Sequence, residues 1–263
     1  LKSKILRRKF ITIFLALLSC SKLILAQANS SGQDSTSVEL ANKMWNLDVL
    51  FGGDLPMADM AKRFGANYRL GVGVKYKTQR NYIFGAKLEF LFGNKMHEDS
   101  LLQNVMTDQG GLIALNGDLL NIGKFERGYL LGLQFGKVLP WFQVNKNSGP
   151  LLLSSIGFMQ HKIKFFDQEK SFPQLNGEYF KGYDRLTNGI FFEQFIGYAY
   201  FASNKLLNFN IGFNLTYGFT RGRRTYLFDV GRSDNAQRHD ILTGLKLGWT
   251  LPIYKKKVEE IYY

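Results

Sequence analysis

The sequence has one cysteine, Cys20, with five prolines and three histidines in 263 residues. A lone cysteine cannot close an intrachain disulfide, so a disulfide-stapled scaffold is excluded. Past residue 30 no apolar run approaches the roughly 18 residues that a spanning helix needs, which excludes a polytopic helical membrane protein. Acids are scarce as well: 21 Asp and Glu stand against 34 Lys and Arg, a formal charge of +13. Glycine (27) and aromatic residues (23 Phe, 13 Tyr, 3 Trp) are abundant. So many rings argue against disorder, and glycine in such excess over proline favours strands over helical packing.

The N-terminus has a basic front, Lys2, Lys4, Arg7, Arg8 and Lys9, then an apolar stretch from Phe10 to Leu18 and a small-x-small site at Ala26-Gln27-Ala28. This predicts a secretory signal peptide over 1–26. Leu17-Leu18-Ser19-Cys20 resembles a lipoprotein processing box, but the apolar run resumes at Leu23, and Cys20 is read as part of the signal. Cleavage would remove six Lys/Arg and no acid, lowering the formal charge from +13 to +7. It would leave no cysteine for catalysis, zinc or disulfides. An exported basic chain is a poor partner for nucleic acid and a better one for anionic lipid or polysaccharide. Residues 27–43 are small and polar and read as a linker.

From Met44 onward, period-two alternation dominates. The clearest case sets Phe209, Ile211, Phe213, Leu215, Tyr217 and Phe219 on one face, with Asn210, Gly212, Asn214, Thr216 and Gly218 between them. Similar patterns centre on residues 45–52, 67–76, 82–92, 128–136, 151–165, 190–200 and 244–251, giving eight strands. The connections 54–66, 77–81, 94–126, 139–149, 166–188, 203–207 and 221–240 alternate between longer and shorter. A soluble sandwich has no reason to do this; a membrane barrel with long external loops and short periplasmic turns does. Tyr68, Tyr76, Tyr82, Phe92, Tyr198, Tyr200, Trp249 and Tyr254 fall near predicted strand ends, as in interfacial aromatic girdles. Pro252 is expected to mark the exit of the last strand.

With this pattern, and with the segments KGYDRLTNG (181–189), FIGYAYFASN (195–204) and KLGWTLPIY (246–254), the chain resembles the small outer-membrane β-barrel proteins of Gram-negative bacteria, in particular Bacteroidota barrels. The resemblance implies structural, adhesive, secretory or assembly roles, and in a few members lipid A modification. Asp34-Ser35-Thr36 and Asp99-Ser100-Leu101 resemble a Bacteroidota O-glycosylation sequon.

Candidate sites are few. Arg69, Lys75, Lys87, Glu89, Glu193 and Lys246 fall on small-polar faces and are expected to form an ion-pair network filling the lumen. Arg221, Arg223, Arg224, Arg232 and Arg238 form a basic loop region and are candidate contacts for anionic lipid phosphates. His97 with Glu98 and Asp99 lacks a matching second ligand pair. Ser155 and His161 lie too far apart along one strand for catalysis, and His239 and Asp240 diverge as strand neighbours. Gly71 and Gly73 lack the helix of a phosphate loop and are expected to line a narrow lumen.

The sequence therefore predicts an all-β, eight-stranded antiparallel up-and-down transmembrane β-barrel over 44–254, with a periplasmic tail at 255–263. The expected location is the cell outer membrane, and the expected partners are outer-membrane lipid, lipopolysaccharide and other envelope proteins. No catalytic residue, metal or cofactor is expected. The leading function is a non-enzymatic structural or accessory subunit of an envelope assembly or secretion machine. A lipid A-modifying barrel enzyme and a small-solute channel are the alternatives.

Overall fold

A computed structural model describes residues 41, 43–98, 101–107, 111–120, 122–166, 172, 175, 178–202 and 208–253. The signal, most of the linker, the first sequon, residues 99 and 100 of the second, the 203–207 turn, Tyr254 and the 255–263 tail lie outside the described residues.

The barrel strands are β1 (Met44–Ala58), β2 (Asn67–Lys77), β3 (Tyr82–Gly93), β6 (Gly123–Val138), β7 (Gly149–Phe166), β8 (Thr187–Tyr200), β9 (Phe209–Gly222) and β12 (Gln237–Ile253). Each pairs antiparallel with its neighbour in this order, and β1 also pairs with β12, so the sheet closes and has no free edge. The fold is an eight-stranded up-and-down barrel. Two short ribbons stand in the long connections: β4 (Leu112–Ile113) with β5 (Leu119–Leu120), and β10 (Arg224–Leu227) with β11 (Arg232–Asp234). The long connections 59–66, 94–122, 167–186 and 223–236 gather at one end, and the short ones at the other.

Several strands run further toward the long-loop end than the alternation indicates. β1 continues through Pro56 to Ala58, β6 begins at Gly123, and β12 begins at Gln237. Pro252 lies in β12, opposite Asn46 and one residue before Ile253, the last described residue of the strand. A proline is tolerated there because its missing N–H falls at the last rungs of the ladder.

Alternation becomes sidedness. Phe213 is 71% exposed while Asn214 and Thr216 are buried. Trp45, Leu47, Val49 and Phe51 on β1, Leu131, Leu133 and Phe135 on β6, and Leu245, Leu247 and Trp249 on β12 likewise point outward. This continuous apolar exterior is what a barrel presents to lipid.

The interior is layered. At the short-turn end, Met44, Ile83, Val138, Leu151, Phe195 and Phe201 form an apolar plug. At the long-loop end, Met60, Phe64, Leu101, Leu102, Phe172 and Tyr183 from the loops pack onto Leu91, Leu130 and Met159 from the strands. Charged groups lie between. Glycine makes the narrow middle feasible: a Cβ on Gly71 would sit 2.4 Å from the Leu88 carbonyl oxygen and 2.7 Å from Glu89 Cγ. Gly71 thus gives the Glu89 side chain its room.

Candidate functional site in the barrel interior

Arg69 on β2, Lys87 and Glu89 on β3, Glu193 on β8 and Lys246 on β12 meet at the barrel axis, each on the inward face of its strand. Arg69 binds Asp54 of β1 through two nitrogens, Nε to Oδ2 at 2.6 Å and Nη2 to Oδ1 at 3.0 Å. Its Nη1 donates to Glu193 Oε2 at 2.7 Å. Lys87 Nζ bridges Glu89 and Glu193, and Lys246 Nζ lies 2.8 Å from an oxygen of each. Asn214 donates to Asp54 at 2.8 Å and Thr216 to Glu193 at 3.0 Å.

Three cations (Arg69, Lys87, Lys246) thus face three carboxylates (Asp54, Glu89, Glu193), and the layer is neutral. None of the charged atoms in these six groups is without a partner. Burying so many charges is costly unless every one is paired and hydrogen-bonded, and here they are.

Lys75 belongs elsewhere. It pairs with Asp48 at 2.6 Å nearer the short-turn end, and Thr250 donates to the other Asp48 oxygen. Asp48 is visible in the sequence as an inward position of β1, in step with Asn46 and Gly52. Asp54 is not, because the sequence pattern places it in the 54–66 connection, whereas β1 runs on to Ala58.

A second polar layer lies toward the long-loop end. Glu126 accepts from Asn67 Nδ2 at 3.0 Å, and Arg63 donates to Thr187 Oγ1 at 3.2 Å. His161 Nε2 lies 2.9 Å from Asp240 Oδ2, which also accepts from Thr220. The His161 ring meets Phe64 edge-on at 5.5 Å. His239 and Asp240 do diverge: His239 turns outward to the Tyr217 hydroxyl at 2.6 Å while Asp240 turns inward to His161. Sequence reasoning missed the His161–Asp240 pair because its members are 79 residues apart and meet only across the lumen. Among the described residues, Arg63 Nε and Nη2, Asn67 Oδ1, Glu126 Oε1, His161 Nδ1 and Asp240 Oδ1 have no hydrogen-bond partner. Ser155, inward on β7, has no partner for its hydroxyl either and makes no bond to His161.

The remaining candidates disperse. His97 Nδ1 lies 2.9 Å from the Ala61 carbonyl oxygen, and Glu98 pairs with Arg185 at 3.3 Å. Of the five arginines, Arg224 grips Asp184 through two nitrogens and Arg238 pairs with Asp234 at 2.6 Å. Arg224–Asp184 and Arg185–Asp229 tie two long connections together over the mouth, while Arg238–Asp234 is a pair within one segment. Arg221 and Arg223 are exposed, donating to the Asn235 carbonyl and the Asn188 side chain, and Arg232 is exposed on β11.

The class defined by this closed sheet, apolar exterior and charge-filled interior is the eight-stranded transmembrane β-barrel. No family model matches the sequence, and no curated protein does. Among solved structures, the chain is similar to Ail, the attachment invasion locus protein of Yersinia pestis, with sucrose octasulfate bound (11% identity, TM-score 0.43, 80% of this chain and 99% of that one). It is similar to Neisserial surface protein A (8%, 0.42, 78% and 96%). It is also similar to the N-terminal β-barrel domain of Pseudomonas aeruginosa OprF (10%, 0.37, 80% and 99%).

Proposed function

We propose that the chain is a non-enzymatic outer-membrane β-barrel, a structural or accessory component of the envelope whose lumen is closed. The short-turn end faces the periplasm and the long loops face outward, in contact with outer-membrane lipid and available to other envelope proteins. One observation carries this reading: an apolar exterior surrounds an axis occupied by three neutralised ion pairs and closed at both ends by packed apolar side chains. A solute path needs an interior that lets charge enter and leave; here the carboxylates already hold their counter-ions within bonding distance. The His161–Asp240 pair lies against Phe64 with no serine or cysteine bonded to it among the described residues, which favours a packing role over a hydrolytic one.

Planar-bilayer recording with purified protein tests the closed lumen: no steady conductance is expected, and a large one would establish a channel. Incubation with labelled lipid A tests the absence of enzymatic activity, with unchanged lipid as the expected product.

A further inference from the structure

We propose that the outer surface of β6–β9 and β12, at the long-loop end, is a binding rim for the phosphates and sugar groups of a phosphorylated outer-leaflet glycolipid; this rests on the outer-membrane reading above. The strand register carries the inference. Outward residues Leu131, Phe158, Ile190, Phe219 and His239 form one row across neighbouring strands. One step toward the loops, the next outward row reads Tyr129, Gln160, Asn188, Arg221 and Gln237. At this level side-chain amides and a guanidinium stand beside Tyr129 where the row below is mostly apolar, and Phe125 and Phe166 stand beyond it.

A step further, Arg127 of β6 and Lys162 of β7 are direct cross-strand partners, both on the outward face. Like charges placed opposite each other destabilise a sheet unless an anion lies between them. No carboxylate answers here: among the described residues, neither these two nor Lys164, Arg221 or Arg223 forms an ion pair with an acid. Arg127 Cζ lies 5.1 Å from the Phe125 ring and Lys162 Nζ 5.6 Å from the Phe180 ring, and Arg127 Nη1 donates to the Glu126 carbonyl oxygen at 2.7 Å; these contacts hold the charged heads at the rim without neutralising them. Arg223 extends the rim through Asn188 at 2.6 Å.

The other half of the barrel differs. Its outward residues at this end are Leu55, Met57, Tyr68, Phe90 and Phe92, with no lysine or arginine among them. Among the described strand residues the outward cations thus lie on one side, at the level where headgroups meet the apolar belt; on the other side Lys62 and Lys95 stand in the connections. The amides of Gln160, Asn188 and Gln237 between them favour a sugar headgroup, whose hydroxyls they can bond, over a simple phospholipid.

Such phosphates are ordinarily bridged by divalent cations. Where arginine and lysine supply the charge, a chelator should not release the lipid. The test reconstitutes the full chain with bisphosphorylated lipid A, dephosphorylated lipid A or phosphatidylglycerol, adds EDTA, and measures retained lipid by native mass spectrometry. The wild type is expected to keep the bisphosphorylated lipid alone. R127A/K162A and R221A/R223A should each lose retention about tenfold, the equivalent of one charge-assisted contact. Lys95→Ala, on the other side, should retain it fully. Equal retention by wild type and both double variants, or equal retention of dephosphorylated lipid A or phosphatidylglycerol by the wild type, would overturn the proposal. Heat-modifiable electrophoretic mobility, scored on the same samples, reports separately whether the barrel itself has formed.

Discussion

The middle of the barrel and its long-loop mouth are both buried, both polar and both built on the same strands, yet they are satisfied to different degrees. In the middle, Arg69, Lys87 and Lys246 meet Asp54, Glu89 and Glu193, and no charged atom is left over. At the mouth, Arg63, Asn67, Glu126, His161 and Asp240 each keep at least one buried atom without a partner among the described residues. The difference follows from where the chain comes from. Every group of the middle layer projects from a strand toward one axis, so long side chains converge and share partners. The mouth takes Arg63 from a connection and is roofed by loop side chains such as Phe64, Leu101 and Leu102, whose placement follows apolar packing rather than hydrogen-bond geometry. Each unpartnered buried group costs roughly 1–3 kcal/mol. Among the described residues the middle is therefore the more fully paired of the two layers.

The largest effect should come from breaking the saturated layer. Glu193 touches Arg69, Lys87 and Lys246, so Glu193→Leu leaves three cations facing two acids. A cost of about 3–5 kcal/mol in folding stability is expected, read as a lower urea midpoint in lipid vesicles. E193L/K246L restores balance, two of each sign, and should cost less than E193L alone. Additive costs would show that charge pairing does not hold the layer together.

A change of face should come next. Leu215→Arg places a charge in the lipid-facing belt and should cost about 2–4 kcal/mol near the midplane. Thr216→Arg puts the same charge beside Arg69 inside, where crowding and like-charge repulsion set the cost; Thr216 Oγ lies 3.5 Å from Arg69 Nη1. A lipid-soluble probe should label position 213 and leave 214 unlabelled.

Much of this was legible in the sequence, because a strand's period of two maps directly onto inside and outside. Arg69, Lys87, Glu89, Glu193 and Lys246 could be assigned to one interior from their faces alone. What period cannot supply is height along the axis, which is set by register across strands. Hence Lys75 was grouped with the others although it pairs with Asp48 at a different level, and the union of His161 with Asp240 was invisible. The ends of β6 and β12 lie beyond the sequence pattern because their outer residues turn polar where the strands leave the belt, as at Arg127 and Gln237; in β1, where Leu55 and Met57 stay apolar, Gly53, Asp54 and Pro56 interrupt the pattern instead. The division of the five arginines into loop ties and rim residues depends on Asp184 and Asp234, acids whose proximity only the fold creates.

The mouth should respond more mildly to the loss of a charge. Glu126→Gln keeps an oxygen to accept from Asn67 and removes a carboxylate that has no cation at bonding distance among the described residues. A change within about 1 kcal/mol is expected, against several for Glu193. A loss as large as that of Glu193→Leu would erase the contrast between the two layers.

The smallest effect is expected just outside both, at Asp59, where the β1–β2 connection meets the start of β12. Its carboxylate accepts from Lys62 Nζ at 2.7 Å and from the His239 backbone N–H at 2.9 Å. Partial burial works against the charge, but these two hydrogen bonds and the Lys62 charge outweigh it, and the carboxyl titrates below its ordinary range. A group whose folded pKa is depressed contributes stability at pH values above its unfolded pKa, about 3.9, and loses that contribution as pH falls through the folded value. Acid should therefore loosen this junction only below about pH 4. Lys62 is 75% exposed, so screening holds the pair to roughly 0.2–1 kcal/mol. Asp59→Asn should remove that part of the acid dependence and shift stability at neutral pH by no more than this amount. Amide hydrogen exchange at His239 is the measurement: faster exchange in the variant at pH 7, with the difference from wild type vanishing in acid, is the expected result. A difference that persists undiminished below pH 3 would show that the carboxylate's charge has no part in holding the junction.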